Sequence, residues 1–199
     1  MFIIGITGGS GAGKTSALRA LEALGALVLD CDAIYHELLT NNAQLKSDIG
    51  ARFEGVLVNG FVDRRRLGDI VFSDRVALCD LNAIAHAYVK DDVDRRISEW
   101  TLQGGEIAAV DAIALIESGR AESCDITVGV TALKEARIAR IINRDGISHE
   151  KAELRVNAQK PDSFYVEHCD YIIENNFSSP TEFEGYCKEF FKGIIEARS

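Results

Sequence analysis

The stretch GGSGAGKT, Gly8 to Thr15, decides how the rest of the chain is read. It fits G-x-x-x-x-G-K-[ST], follows the apolar run Phe2 to Thr7, and precedes a segment whose Ala17, Leu18, Leu21 and Leu24 form one helical stripe ending at Gly25. A strand, a glycine turn and a helix in that order are the context that gives a phosphate-binding loop its meaning. Glycines admit positive φ and close backbone approach, so successive N–H groups turn inward on an anion, and the helix start adds the positive end of its dipole. Gly11, Ala12, Gly13, Lys14, Thr15 and Ser16 are therefore candidate ATP contacts. Lys14 is expected to reach the β- and γ-phosphates and Thr15 to offer its hydroxyl to Mg2+.

Outward from the turn, apolar runs suited to buried parallel strands recur at Ala26 to Leu29, Ile107 to Val110, Ile126 to Val130 and Tyr171 to Ile173, with helical patterns between them. The alternation predicts an α/β fold, a five-stranded parallel sheet covered by helices on both faces. The region from Ala33 to Trp100 reads mainly as helix, with Leu78, Leu81, Ala85 and Tyr88 at helical spacing. Thr181 with Glu184 resembles a capping box opening a C-terminal helix that carries Phe183, Cys187, Phe190, Phe191 and Ile194.

Composition narrows the function. The 199 residues carry a formal charge of -9, which argues against a chain that coats nucleic acid and requires any anionic ligand to be held by a local positive site. Five scattered cysteines with no C-x-x-C signal neither zinc nor a redox pair and fit a reducing, cytoplasmic setting. No apolar run approaches membrane-spanning length.

Two carboxylate positions stand at strand ends. Asp30 and Asp32 follow the second strand, where a carboxylate can accept a hydroxyl proton, help hold metal, or simply cap a helix. Asp111 closes the run EIAAVD, a place suited to holding Mg2+ alongside Thr15, or to a plain turn. No N-K-x-D element exists to read guanine, which turns the reading toward a kinase for a small acceptor.

Beyond these features the chain resembles the dephospho-coenzyme A kinase family from ITGGSGAGKTS to YIIENN. LGALVLDCDAI is similar to that family's L-G-x-x-V-x-D-A-D segment, which implies Asp32 as general base with Asp30 beside it. NGFVDRRRLGDIVF resembles an acceptor-side stretch and implies Arg64, while LNAIAHAYV matches an L-N-x-x-x-H-P element through His86, with Ala87 in place of proline. DAIALIE retains Asp111 and Glu117 but has Ile113 and Ala114 where the family has proline and leucine. ARIARIINRDGISHEKAELRVNAQ resembles the family lid, implying Arg140 and Arg144 at the ATP phosphates, with Arg155 and Gln159 in place; Asn175 matches an element near the adenine.

The resemblance implies ATP-dependent phosphorylation of the 3'-hydroxyl of dephospho-CoA, with Mg2+, in a monomer or weak homo-oligomer that engages neither nucleic acid nor membrane. It divides the chain into a nucleotide-binding core at 1–40, 101–134 and 161–199, a helical acceptor domain at 41–100 and a lid at 135–160. Arg137, Arg140 and Arg144 share one helix face, and Arg137 is read as the solvated member. Two alternatives stay open: a P-loop kinase for another nucleoside or sugar-acid acceptor, and a nucleotide-binding protein with a degenerate acceptor site.

Overall fold

The computed structural model describes residues 1–198 and separates into two compact units, Met1–Leu29 with Trp100–Ser199, and Asp30–Glu99. The first is built on a five-stranded sheet of β1 (Phe2–Gly8), β2 (Leu27–Asp30), β5 (Ile107–Asp111), β6 (Ile126–Thr131) and β7 (Tyr171–Glu174), in the order β2-β5-β1-β6-β7. β1 is central. It pairs in parallel with β5, Phe2 opposite Ile107 and Ile6 opposite Asp111, and with β6, Ile4 opposite Ile126 and Gly8 opposite Val130.

Both faces of β1 are covered, which is why its sequence is a continuous apolar run and not an alternating one. Phe2, Ile4 and Ile6 point into a core shared with Ala17, Ala20 and Leu21 of α1 (Lys14–Ala23) and with Phe183, Cys187 and Phe191 of α9 (Pro180–Glu196). On the other face, a Cβ at Gly5 would stand 2.7 Å from Leu115 Cδ2 and 2.9 Å from Cys124 Sγ, so any larger residue there would displace these side chains. α8 (Asp162–His168) packs on β6 and completes the covering of the sheet. The apolar runs expected to be strands are the five strands observed, each within a residue or so of its expected limits.

α1 ends as its sequence predicts. Gly25 takes φ +86, and its N–H and that of Ala26 return to the carbonyls of Glu22 and Leu21. The cap of α9 is not the expected one: Ser179, two residues before Thr181, accepts from the Glu182 N–H, with Pro180 in the first turn. Serine followed by proline and, three residues on, glutamate already satisfies the pattern, so Thr181 lies inside the helix.

The second unit has its own core, Leu39, Leu45, Ile49, Phe53, Val56, Leu67, Val71 and Ala77. Apart from Phe53 and Val56, these come from α2 (Cys31–Asn41), α3 (Ala43–Arg52), α4 (Arg64–Ser73) and α5 (Arg75–Leu102); those two lie between α3 and α4. Leu78, Leu81 and Tyr88 of α5 pack against it as their spacing predicts. A two-stranded antiparallel hairpin, β3 (Leu57–Val58) and β4 (Phe61–Val62), breaks the helical run. Among the described residues no helix is long and apolar enough to cross a membrane.

Candidate active site

The glycine turn leaves the end of the central strand and runs into α1. Gly8, Gly11 and Gly13 have φ of +141, +77 and +117, the region closed to most side chains. Their surroundings are as restrictive as their torsions. A Cβ on Gly8 would lie 2.2 Å from the Val130 carbonyl, and one on Gly13 would lie 2.3 Å from Asn175 Nδ2. Lys14 Nζ donates to the Gly8 carbonyl at 2.9 Å, folding the lysine back across the loop it belongs to. Thr15 is exposed at the helix start, and Ser16 is buried behind it.

α6 (Lys134–Asp145) brings two arginines to this turn. Arg140 donates from Nη1 to the Gly11 and Ala12 carbonyls at 3.1 and 3.3 Å, and from Nη2 to the Asn175 backbone and side-chain oxygens at 3.3 and 3.2 Å. Burial lowers its pKa from the ordinary arginine value. Asn175, 5% exposed, donates from Nδ2 to the Ala12 carbonyl at 2.8 Å. Thus Gly11, Ala12, Arg140 and Asn175, residues singled out separately in the sequence, form one bonded group.

Arg137 is the second arginine, and its reading as a solvated residue is wrong. It is 4% exposed and donates to the Ser10 carbonyl at 3.1 Å, to Gln159 Oε1 at 2.8 Å and to Asp162 at 3.4 Å. The i, i+3, i+7 spacing correctly aligns the three arginines on a helix face. It carries no information about partners more than a hundred residues earlier. Gln159 completes the contact by accepting the Ser10 N–H at 2.8 Å and donating to the Ser10 hydroxyl at 2.9 Å.

Arg144, at the exposed end of α6, forks onto Asp145 with Nε at 2.7 Å, and Arg155 of α7 (His149–Asn157) reaches the same carboxylate. The Arg144 guanidinium, followed by Arg155, holds the Asp145 pKa down to about 2. α6 and α7 share a small apolar core of Ile138, Ile141, Ala152 and Val156.

Asp111 ends β5 in register with Ile6, two residues before the turn opens, and one of its carboxylate oxygens is buried. A threonine hydroxyl and an aspartate carboxylate form the hard-oxygen donor set that Mg2+ takes, so the residues present suit that cation. No group of three or more His, Cys, Asp or Glu suited to a metal occurs among the described residues.

The remaining candidates belong to the second unit. Asp30 caps α2, its Oδ1 accepting the N–H groups of Asp32 at 2.9 Å and Ala33 at 3.0 Å, which leaves Asp32 exposed in the first turn. Arg64 is exposed at the start of α4, which Asp63 caps; its charge acts on Tyr35, whose pKa burial raises. His86 is exposed on α5.

A glycine turn at the end of a central parallel strand, a lysine bent over it and helical arginines bonded to its carbonyls define a P-loop phosphotransferase. Within that class, the family model for dephospho-CoA kinase matches residues 2–181, and the chain belongs to that family. The dephospho-CoA kinase of Geobacter sulfurreducens is 36% identical over 193 residues, covering 96% of this chain and 98% of that one. The crystal structure of TT1252 from Thermus thermophilus superposes with a TM-score of 0.82 at 28% identity, over 100% of this chain and 98% of that chain. The dephospho-CoA kinase from Campylobacter jejuni, at 24% identity and a TM-score of 0.71 over 99% and 98% of the two chains, shares the fold.

Proposed function

We propose that Asp32, Lys14 and Arg140 carry out the family's reaction, transfer of the γ-phosphoryl group of ATP to the 3'-hydroxyl of dephospho-CoA, giving coenzyme A and ADP. Membership of the dephospho-CoA kinase family supports the reaction, and the bonded group of P-loop, Arg140 and Asn175 is the observation that supports its location.

The N–H groups of Gly11 to Ser16 receive the phosphates. Lys14 leaves the Gly8 carbonyl to meet the transferring group, exchanging a neutral acceptor for an anionic phosphate oxygen that holds the ammonium more strongly. Arg140 exchanges carbonyl partners for phosphate oxygens in the same way. Its partly desolvated guanidinium acts more strongly there than it would in water. Arg144 joins from the lid, and Asn175 holds the turn beside the nucleotide. Mg2+, held by Thr15 and Asp111, supplies charge neutralisation at the phosphates when bound.

Asp32 aligns the acceptor hydroxyl and takes its proton; Asp30, already committed to capping α2, orders the backbone that carries Asp32. Arg64 and His86 bind the acceptor within the helical domain at 41–100, and the segment 135–160 closes as a lid over the core formed by 1–40, 101–134 and 161–199. Closure excludes water and so favours transfer over hydrolysis. The acidic charge and the scattered cysteines without C-x-x-C spacing support a cytoplasmic enzyme that works without nucleic acid; it acts as a monomer or weak homo-oligomer and engages no membrane.

Asp32→Asn and Asp30→Asn test this together. Asparagine caps helices as well as aspartate does, so both proteins should fold and bind ATP and dephospho-CoA. Turnover in a coupled ADP assay should fall by roughly 10² to 10⁴ for Asp32→Asn and by far less for Asp30→Asn. Undiminished turnover in Asp32→Asn would remove its role as base, and a wild-type protein that binds both substrates without forming coenzyme A would remove the assignment.

A further inference from the structure

The phosphate-loop pattern asks for glycine only at Gly8 and Gly13, yet this chain also places Gly9 and Gly11 inside it. Gly11 is required by its φ of +77 as well, and one residue lies against both. A Cβ on Gly9 would stand 2.0 Å from Arg137 Nη2 and 2.6 Å from Cζ, with Gln159 Oε1 at 3.1 Å. A Cβ on Gly11 would stand 2.6 Å from the Arg137 carbonyl oxygen and 3.0 Å from its Cα. The guanidinium lies against one extra glycine and the backbone of the same residue against the other.

We propose that Arg137, acting with Gln159, is a positioning residue that holds the Gly9-Ser10-Gly11 segment in its phosphate-receiving shape before nucleotide arrives. The inference rests on the P-loop reading above.

A guanidinium at this depth is expensive. Its ionic partner among the described residues, Asp162, is 3.4 Å away and 45% exposed, and a buried charge with so weak a counter-ion is ordinarily outdone by an apolar side chain of similar volume. What an apolar side chain cannot do is donate from one rigid plane to two fixed acceptors. Arg137 gives Nε to the Ser10 carbonyl and Nη2 to Gln159 Oε1, the same oxygen that accepts the Ser10 N–H. The two groups of the Ser10 residue that could rotate, its N–H and its C=O, are thereby fixed in one network, and the Gln159 amide also holds the hydroxyl. With Ser10 fixed, the directions of the N–H groups that follow it are fixed too. The nucleotide then need not supply the ordering energy on binding.

Calorimetric titration with inorganic tripolyphosphate and with ATP tests this without any acceptor, and steady-state kinetics add the two KM values. Arg137→Met and Gln159→Leu should each weaken both ligands by roughly ten- to hundredfold. KM for ATP should rise in parallel while KM for dephospho-CoA stays within about twofold. Because Gln159 Oε1 serves both Ser10 and Arg137, the double variant should be no worse than the weaker single variant. Arg137→Lys should not restore affinity, since an ammonium lacks the planar fork. Gln159 is half-buried, so its variant keeps the question open to test should Arg137→Met fail to fold.

Wild-type affinity in Gln159→Leu, full rescue by lysine, strictly additive losses, or equal rises in both KM values would overturn the proposal. A wild-type protein that binds tripolyphosphate, shows the expected variant pattern and yet makes no coenzyme A would overturn the proposed function while leaving this inference standing. A wild-type protein that does not bind tripolyphosphate would overturn both.

Discussion

Replacing Asn175 by leucine removes one of the side-chain links between the phosphate loop and α6 while keeping the number and branching of the side chain's heavy atoms. Two hydrogen bonds are lost: the neutral one from Nδ2 to the Ala12 carbonyl at 2.8 Å, and the charge-assisted one from Arg140 to Oδ1 at 3.2 Å. At about 1 kcal/mol for the first and about 1.5–3 kcal/mol for the second, the gross cost is about 2.5–4 kcal/mol. Some of it is recovered. The Ala12 carbonyl keeps Arg140 Nη1 at 3.3 Å, and Arg140 keeps the Gly11 carbonyl and the Asn175 backbone oxygen, neither of which the substitution touches. A net loss of about 2–3 kcal/mol should lower the melting temperature by about 4–12 °C at this chain length. Circular dichroism melts with and without ATP measure both parts: the apo midpoint falls, and the upward shift that ATP produces shrinks, because the Ala12 peptide no longer has its fixed orientation. A variant melting within about 2 °C of wild type would refute the reasoning, since it would mean that bonds made by a residue 5% exposed are replaced without cost.

Two further outcomes can be measured. Lys14→Ala should lose at least about hundredfold in turnover with its melting temperature nearly unchanged, because the loop backbone is shaped by its glycines and by Arg140 and Asn175; near-normal turnover in folded protein would remove Lys14 from the reaction. Asp145 has a folded pKa near 2 against an ordinary value of 3.8, so its stabilising contribution is present in full above about pH 4 and disappears as pH falls from there toward 2. Urea midpoints of wild type and Asp145→Asn should therefore differ at pH 5, and the gap should shrink progressively as pH falls below 4 toward 2; a constant gap would show that the carboxylate's charge is not what holds Arg144 and Arg155.

The sheet was legible in the sequence because each of its strands is buried, and burial writes itself as an apolar run. The α1 stop at Gly25 was legible because a left-handed residue is a local requirement. The β3–β4 hairpin carried a signal too: Asn59-Gly60 takes φ of 53 and 80 between Leu57-Val58 and Phe61-Val62, the turn that asparagine followed by glycine favours. Strands of two residues offer no periodicity, so the surrounding helical pattern obscured it. The burial of Arg137 was not legible at all from spacing, since its partner Ser10 lies 127 residues away. Gly9, which has room for no side chain beside the Arg137 guanidinium, was the one trace it left in the loop. Asp30 illustrates the reverse case, where the two readings of one aspartate, cap and functional carboxylate, were both visible and the structure shows the cap.

The central position of β1 bears on the order in which the molecule is made. Its partners begin at Ile107 and Ile126, so when the strand leaves the ribosome it has nothing to pair with until Ile107 and the residues after it have followed. The groups that hold the loop beyond it, Arg137, Arg140, Gln159 and Asn175, arrive later still. The nucleotide site opened at Gly8 is thus completed only once Asn175 has been made, and its contacts are among the longest-range in the fold, the kind whose loop-closure cost slows folding. A nascent chain halted before Asn175 should gain no protection from ATP, whereas the Asp30–Glu99 unit, whose core is drawn from one continuous stretch of chain, has all its partners in hand far sooner.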